Sequence, residues 1–276
     1  MPISKRFFVK VFLKRMIIIS FVIMIFMMTI AGANGERKSV LMPNSDFSKL
    51  FPGNESFYGE TVQFGGKICA TVNNSVEIDP ANGDIDIAIV SKEFEYRGSF
   101  DNYFKLKNSV FLFKDKDLVK LVGHDKRVTD AELPQKYSIR YYLNDKQKDV
   151  KQITYDNNTV DSDILLFYLQ GKLLEGNSKF NISLISKGNG MKVNAVFRRL
   201  LTADLQKLSP EYNFPSEMKK LLEQKVERYV YIMDLSGVAK IFYPYRYYYI
   251  YTKESPHNLI AYWGGSPKTA EYAYVL

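Results

Sequence analysis

The sequence predicts a mainly β protein: one antiparallel, meandering sheet with two short helices against one of its faces. Three observations carry that prediction. Short runs alternate apolar and polar residues with a period of two, turn residues separate those runs, and only two stretches show helical spacing.

The chain opens on "MPISKRFFVKVFLKR", with five basic residues and no acid, followed by the uncharged "MIIISFVIMIFMMTIAGANG". This is the layout of a secretory leader. Ala31, Gly32 and Ala33 offer a small-residue cleavage site, so residues 1–33 are expected to be removed by a Sec-type signal peptidase. The alternative is an uncleaved inner-membrane anchor over residues 16–35, since about 20 apolar residues can span a bilayer. Five of the eight net positive charges lie in the first fifteen residues, which leaves +3 for the remainder. So mild an excess, without a clustered basic stripe, argues against nucleic acid as a partner. Cys69 is the single cysteine, so no intramolecular disulfide can form and the fold must rest on its core. An exported, disulfide-free chain of this composition is expected in a bacterial periplasm or at the cell surface.

Residues 34–59 are polar, broken by Pro43, Pro52 and Gly53, and read as an extended lead-in to a single domain over 60–276. Within that domain "DIDIAIV" puts Ile85, Ile87 and Ile89 on one face, and "SVFLFK" pairs Phe111 with Phe113. "YSIRYYL", "FNISL" and "MKVNAVF" repeat the pattern. Each reads as a half-buried strand. The turns are "DPANGD", "KDKD", "LNDKQKD" and "KGNG".

The helical stretches are "DSDILLFYLQGK", with acidic and hydroxyl residues ahead of its apolar run and an end expected at Gly171, and "PSEMKKLLEQKVER". The second sets Met218, Leu221, Leu222 and Lys225 on one face, with Ser216 as its cap. The tail returns to strands in "RYVYIMD", "YPYRYYYIYTK", "NLIAYWGG" and "AEYAYVL".

Signatures of catalysis are scarce. His124 and His257 are isolated, and Cys69 has no basic neighbour, so none of them is expected to act as a ligand or nucleophile. "DPANGDID" offers acidic oxygens but misses the calcium-loop spacing and reads as a hairpin turn. No cofactor or metal is expected, and the chain reads as a non-enzyme, with a hydrolase the least favoured alternative.

Aromatic content is the strongest feature, with 20 Tyr and 19 Phe. In "YPYRYYYIYTK" Tyr243, Tyr245, Tyr247, Tyr249 and Tyr251 take every second position, so one strand face would be almost wholly tyrosine, with Tyr248 on the other. A tyrosine ring can rest on apolar matter while its hydroxyl meets water or a partner. Two readings stay open: cross-strand aromatic packing, or the wall of a groove for an amphipathic, lipid-like molecule. On the second, Tyr245, Tyr247, Tyr249 and Tyr251, with Trp263 of the next strand, are the expected ligand-binding residues. A different class of function, an envelope module that docks a protein or glycan through this aromatic face, is the alternative.

The order of "YFKLKNSVFLFKDKDLVKLVGHDKRV", "ITYDNNTVDSDILLFYLQGKLLEGNSKFNISLISKGNGMKVNAVF" and "NLIAYWGGSPKTAEYAYVL" resembles an uncharacterised family of exported bacterial proteins, the domain of unknown function numbered thirty-one-oh-eight. The likeness covers about residues 95 to 276. It rests on Asp161 followed by Leu165, Leu166 and Tyr168, on the glycine-turn hairpin after them, and on the strands around Trp263. It implies a strongly curved antiparallel half-barrel, similar to periplasmic carriers that shield lipoprotein acyl chains, with helices on the concave face. It implies no enzymatic residues, and residues 36–94 have no counterpart in it.

Overall fold

The computed structural model describes residues 55–63, 66–79, 81–101, 104–116, 118, 123–133, 136–186, 190–208, 211–255, 257–266 and 270–275, with side chains from Val72 onward except at 78 and 133. These residues belong to one compact unit within 40–276. The leader and its cleavage site lie outside them, as does the lead-in up to residue 54. Residues 55–59, read as the end of the lead-in, are instead strand: all five pair with one neighbouring strand, and 57–59 pair with strands on both sides.

The first half is a meander: β1 (Glu55–Gln63), β2 (Gly66–Ile78), β3 (Ile85–Val90), β4 (Phe94–Phe100), β5 (Leu106–Phe113), β6 (Lys126–Leu133), β7 (Lys136–Leu143) and β8 (Lys146–Thr154). After β9 (Thr159–Asp161), a 3-10 turn over Ser162–Ile164 leads into α1 (Leu165–Leu174). Then follow β10 (Lys179–Ser186), β11 (Met191–Thr202), α2 (Ser216–Glu223), β12 (Arg228–Leu235), α3 (Val238–Phe242), β13 (Arg246–Thr252), β14 (Leu259–Gly264) and β15 (Glu271–Val275). The described strands form one sheet in the order β8-β7-β6-β5-β4-β3-β2-β1-β15-β14-β13-β12-β11-β10-β9. Pairing is antiparallel throughout except between β9 and β10.

The turn chemistry does what its residues demand. Asn144 and Asp145 both adopt positive φ between β7 and β8, the geometry of a tight hairpin whose twist suits the strands. In "DPANGD" the Asp79 and Asn82 side chains accept from the backbone of Ala81 and Asp84 and close the β2–β3 turn. Those carboxyl and amide oxygens serve the turn, as expected of a hairpin rather than a calcium loop.

The sheet curls into a half-barrel around α1. One buried cluster unites Ile87, Ile139 and Tyr141 of the first half with Phe197, Tyr231 and Tyr249 of the second, and with Leu165, Leu169 and Leu173 of the helix. The far edges approach each other: a Cβ at Gly190, in the β10–β11 turn, would stand 2.5 Å from Lys151 Cγ of β8. An ion pair between Lys192 of β11 and Asp156 of the β8–β9 connection lies at the same end.

Helix α1 is buried on nearly every side, with Leu165, Phe167, Leu169, Gln170, Gly171 and Leu173 all inaccessible. A helix apolar all round belongs inside a core, which is why its sequence carries so weak an amphipathic stripe. Burying each leucine contributes about 1.5–3 kcal/mol. The expected stop at Gly171 is not where the helix ends, because a buried helix tolerates glycine where packing is close. It ends at Leu174, and Gly176, two residues on, takes the left-handed turn with φ of +73°. Asn177 N–H then donates to Lys172 O at 3.1 Å and Gly176 N–H to Leu173 O at 3.0 Å, the paired bonds of a Schellman cap. At the other end Asp161 accepts from Asp163 N–H at 2.9 Å and caps the 3-10 turn that leads into the helix, while α1 itself starts after Ile164 with no side-chain cap.

The second helix, α2, lies on the other face of the sheet rather than beside α1. Met218 and Leu222 pack with Trp263, Tyr248, Ile250 and Phe214 in a separate cluster. The split follows from the period of two, because Tyr248 and Ile250 point away from the hollow that their neighbours Tyr249 and Tyr251 face. Ser216 is the first residue of α2 rather than its cap, a place taken by Pro215.

Candidate functional site

The expected site residues divide into three groups. Tyr249 and Tyr251 face the hollow but are packed within it, at 5% and 0% exposure. Tyr251 Oη donates to the Leu166 carbonyl of α1 at 2.8 Å, and Tyr249 Oη lies 3.9 Å from Met233 Sδ. Tyr137 and Tyr231 likewise donate to backbone carbonyls, of Leu106 and Asn177. These tyrosines combine ring burial with a satisfied hydroxyl, and cross-strand packing is what they do.

Trp263 does not join them. It is fully buried on the opposite face, stacked on Tyr248 with ring centroids 5.2 Å apart and edge-on to Phe214 at 5.6 Å. The register decides this, since Trp263 stands opposite Tyr248 and not opposite Tyr247 or Tyr249. Tyr245 precedes β13 and is 37% exposed, so it does not extend the strand's tyrosine face.

Tyr247 is different: it is half-buried and lies at the end of the hollow where β12 passes into β13 and β14 into β15. Directly across from it in β14 is Gly264, and across from Gly264 in β15 is Glu271. The absent side chain at Gly264 is a geometric requirement. A Cβ there would meet Tyr247 Cδ1 at 2.1 Å, so the Tyr247 ring lies over the glycine. One row further in, Tyr249 faces Tyr262, and Tyr262 Oη donates to Glu271 Oε1 at 3.1 Å. Tyr243, returning from α3, shares a hydrogen bond with Tyr247 through hydroxyls 3.2 Å apart.

The four rings form a ladder with nearly parallel planes. Tyr243 and Tyr247 are 6.4 Å apart at 18°, Tyr247 and Tyr249 6.5 Å at 18°, and Tyr249 and Tyr262 6.0 Å at 25°. Glu271 stands at its foot, half-buried, as do Tyr243, Tyr247 and Tyr262. Burial pushes the Glu271 carboxyl above its ordinary range, while the hydrogen bond from Tyr262 pulls in the other direction. The Tyr262 and Tyr247 phenols are pushed up too, by burial first and by the nearby Glu271 charge second. Among the described residues no Lys, Arg or His forms an ion pair with Glu271. The rim beside the ladder is apolar, with Ile241 76% and Phe242 64% exposed.

Arg127 and Asp234, both buried, have structural partners. Arg127 pairs with Asp163 at 2.7 Å and lies over the Phe111 ring, fastening the start of α1 to β6. Asp234 is held by Arg198 and Arg246 at 2.7 and 2.9 Å. His124 packs on Tyr141 and His257 on Tyr229. Among the described residues no group of three His, Cys, Asp or Glu side chains could hold a metal ion. Cys69 pairs in register with Glu60, on the stretch of β2 whose side chains are not described. Nor is any described helix long and apolar enough to cross a membrane.

No family model matches the chain. No curated protein matches it either. Among solved structures it is similar to a β-barrel-like protein of domain of unknown function DUF1849 from Brucella abortus, at 13% identity over 81% of this chain and 95% of that one, with a TM-score of 0.44.

Proposed function

We propose that this protein is a non-enzymatic binding module of the cell envelope, taking an amphipathic, lipid-like ligand at the tyrosine-walled end of its curled sheet. One observation carries the reading: the middle of the hollow is packed, whereas Tyr243, Tyr247, Tyr262 and Glu271 keep partial access at one end. Partly exposed rings supply apolar contact, and hydroxyls and a carboxylate orient a polar end, the mix that small-molecule sites use. Glu271 is read as a recognition group rather than a catalytic acid, because its hydrogen-bond partner is a phenol and glycoside hydrolysis needs a second facing carboxylate. Export to the periplasm, through cleavage near Ala33 or with the leader kept as an anchor, belongs to this proposal, as does membership of the thirty-one-oh-eight family. No nucleic acid partner is proposed.

A hydrophobic-dye titration tests the reading. Wild-type protein should bind the dye, and Tyr247→Ser should weaken binding by about tenfold, since one ring's burial is worth about 1.5–3 kcal/mol. Tyr248→Ser, on the other face, should leave the affinity unchanged once melting curves have shown that the variant is folded.

A second reading has its own observation. The exposed Ile241 and Phe242 form an apolar tip beside Tyr245, suited to docking an envelope protein. Under that reading Ile241→Ser with Phe242→Ser abolishes capture of a partner from envelope extracts, and Tyr247→Ser does not.

A further inference from the structure

We propose that the polar end of the ligand is an ammonium group, held by Glu271 and by the rings of Tyr247 and Tyr262 beside it. The inference rests on the binding reading above and names the chemistry of the head group.

Three features of the site point the same way. Tyrosine faces are negative at their centres, so a cation within about 6 Å of a ring centroid is attracted. The ladder sets Tyr247 and Tyr262 on either side of the packed Tyr249, at 6.5 and 6.0 Å from it, and both of these outer rings keep partial access at the same end. Secondly, the group at the foot of the ladder is a carboxylate. Burial raises the carboxyl above its ordinary range, and the hydrogen bond that Tyr262 donates to Oε1 works against that rise and fixes the carboxyl beside the rings. Thirdly, the row Tyr247, Gly264, Glu271 runs straight across three strands. Strands lie about 4.8 Å apart, so the glycine sets ring and carboxylate within reach of one small head group.

A charge set among aromatic rings is costly unless it is paired. An ammonium supplies the pairing, which a neutral head group does not offer and an anionic one opposes. The same carboxylate that makes the empty site expensive therefore selects its ligand.

The test compares three twelve-carbon amphiphiles, each below its micelle concentration, by titration calorimetry on the full folded protein: dodecyltrimethylammonium, a neutral dodecyl glycoside and dodecyl sulfate. The cationic one should bind at least about tenfold more tightly than the others, a difference of ~1.4 kcal/mol. Glu271→Gln should erase that preference. Equal affinities for the three head groups would overturn the inference and leave the binding reading in place, as would a cation preference that survives in Glu271→Gln. If none of the three binds, the binding reading itself fails and this inference with it. The comparison on wild-type protein decides the matter even if the variant does not fold.

Discussion

Tyr247 lies across Gly264 so closely that the smallest side chain at position 264 would enter its ring. Two residues from different strands thus share the volume of one. The sheet gives up a side chain in β14 so that an aromatic wall can stand next to Glu271 of β15.

Replacing that glycine tests whether the arrangement matters. Gly264→Ala should force the Tyr247 ring off the row, lower stability by about 1–3 kcal/mol through overpacking, and weaken amphiphile binding. Thermal melts and dye titration read the two effects separately. An unchanged melting temperature with unchanged binding would mean that the ring relocates freely.

The packed tyrosines should behave otherwise. Tyr251→Phe removes one hydrogen bond to the Leu166 carbonyl while keeping the ring, so a loss of about 0.5–1.5 kcal/mol is expected. Ligand affinity should not change. A weakened affinity would show that the packed part of the hollow also contacts ligand.

The opposite face can be cut away from the site. Leu222→Ala in α2 opens a cavity over Trp263 and should cost about 2–5 kcal/mol. Binding at a temperature where the variant is folded should match wild type. Coupled loss of both would place the ligand under α2.

The pH dependence of stability has a definite sign. Burial raises the Glu271 carboxyl in the folded state above its ordinary value of 4.5. The folded protein then holds this proton more tightly than the unfolded chain, so Glu271 costs stability as pH rises from 4.5 through the raised value. The groups facing it, Tyr243, Tyr247, Tyr249 and Tyr262, stay neutral there, because their own values are raised further. Glu271→Gln should therefore melt higher than wild type near neutral pH and converge with it in acid. A gap that is constant across pH would refute the assignment.

Much of this architecture is legible in the sequence, and the rest fails for identifiable reasons. Period-two spacing separates Tyr247, Tyr249 and Tyr251 from Tyr248, and the structure keeps that division. What spacing within one strand cannot give is the register to the next. Spacing alone therefore groups Trp263 with the wrong tyrosines and gives Glu271 in "AEYAYVL" no distinction, since its place in line with Tyr247 and Gly264 is set by the register of three strands. A signal for it does exist, because "WGG" puts a glycine where a wall of large residues would otherwise be continuous. The helix "LLFYLQGKLL" carried a readable clue as well: apolar residues on all its sides mark it as the plug of a hollow rather than a cover on a sheet.

The central claim is the location of the ligand, and photo-crosslinking tests it most directly. A dodecylammonium bearing a diazirine near its head group, irradiated on the folded protein and mapped by peptide mass spectrometry, should label the segments 243–249 and 262–271. Labelling confined to α2 and residues 212–222, or spread evenly over the surface, would contradict the account.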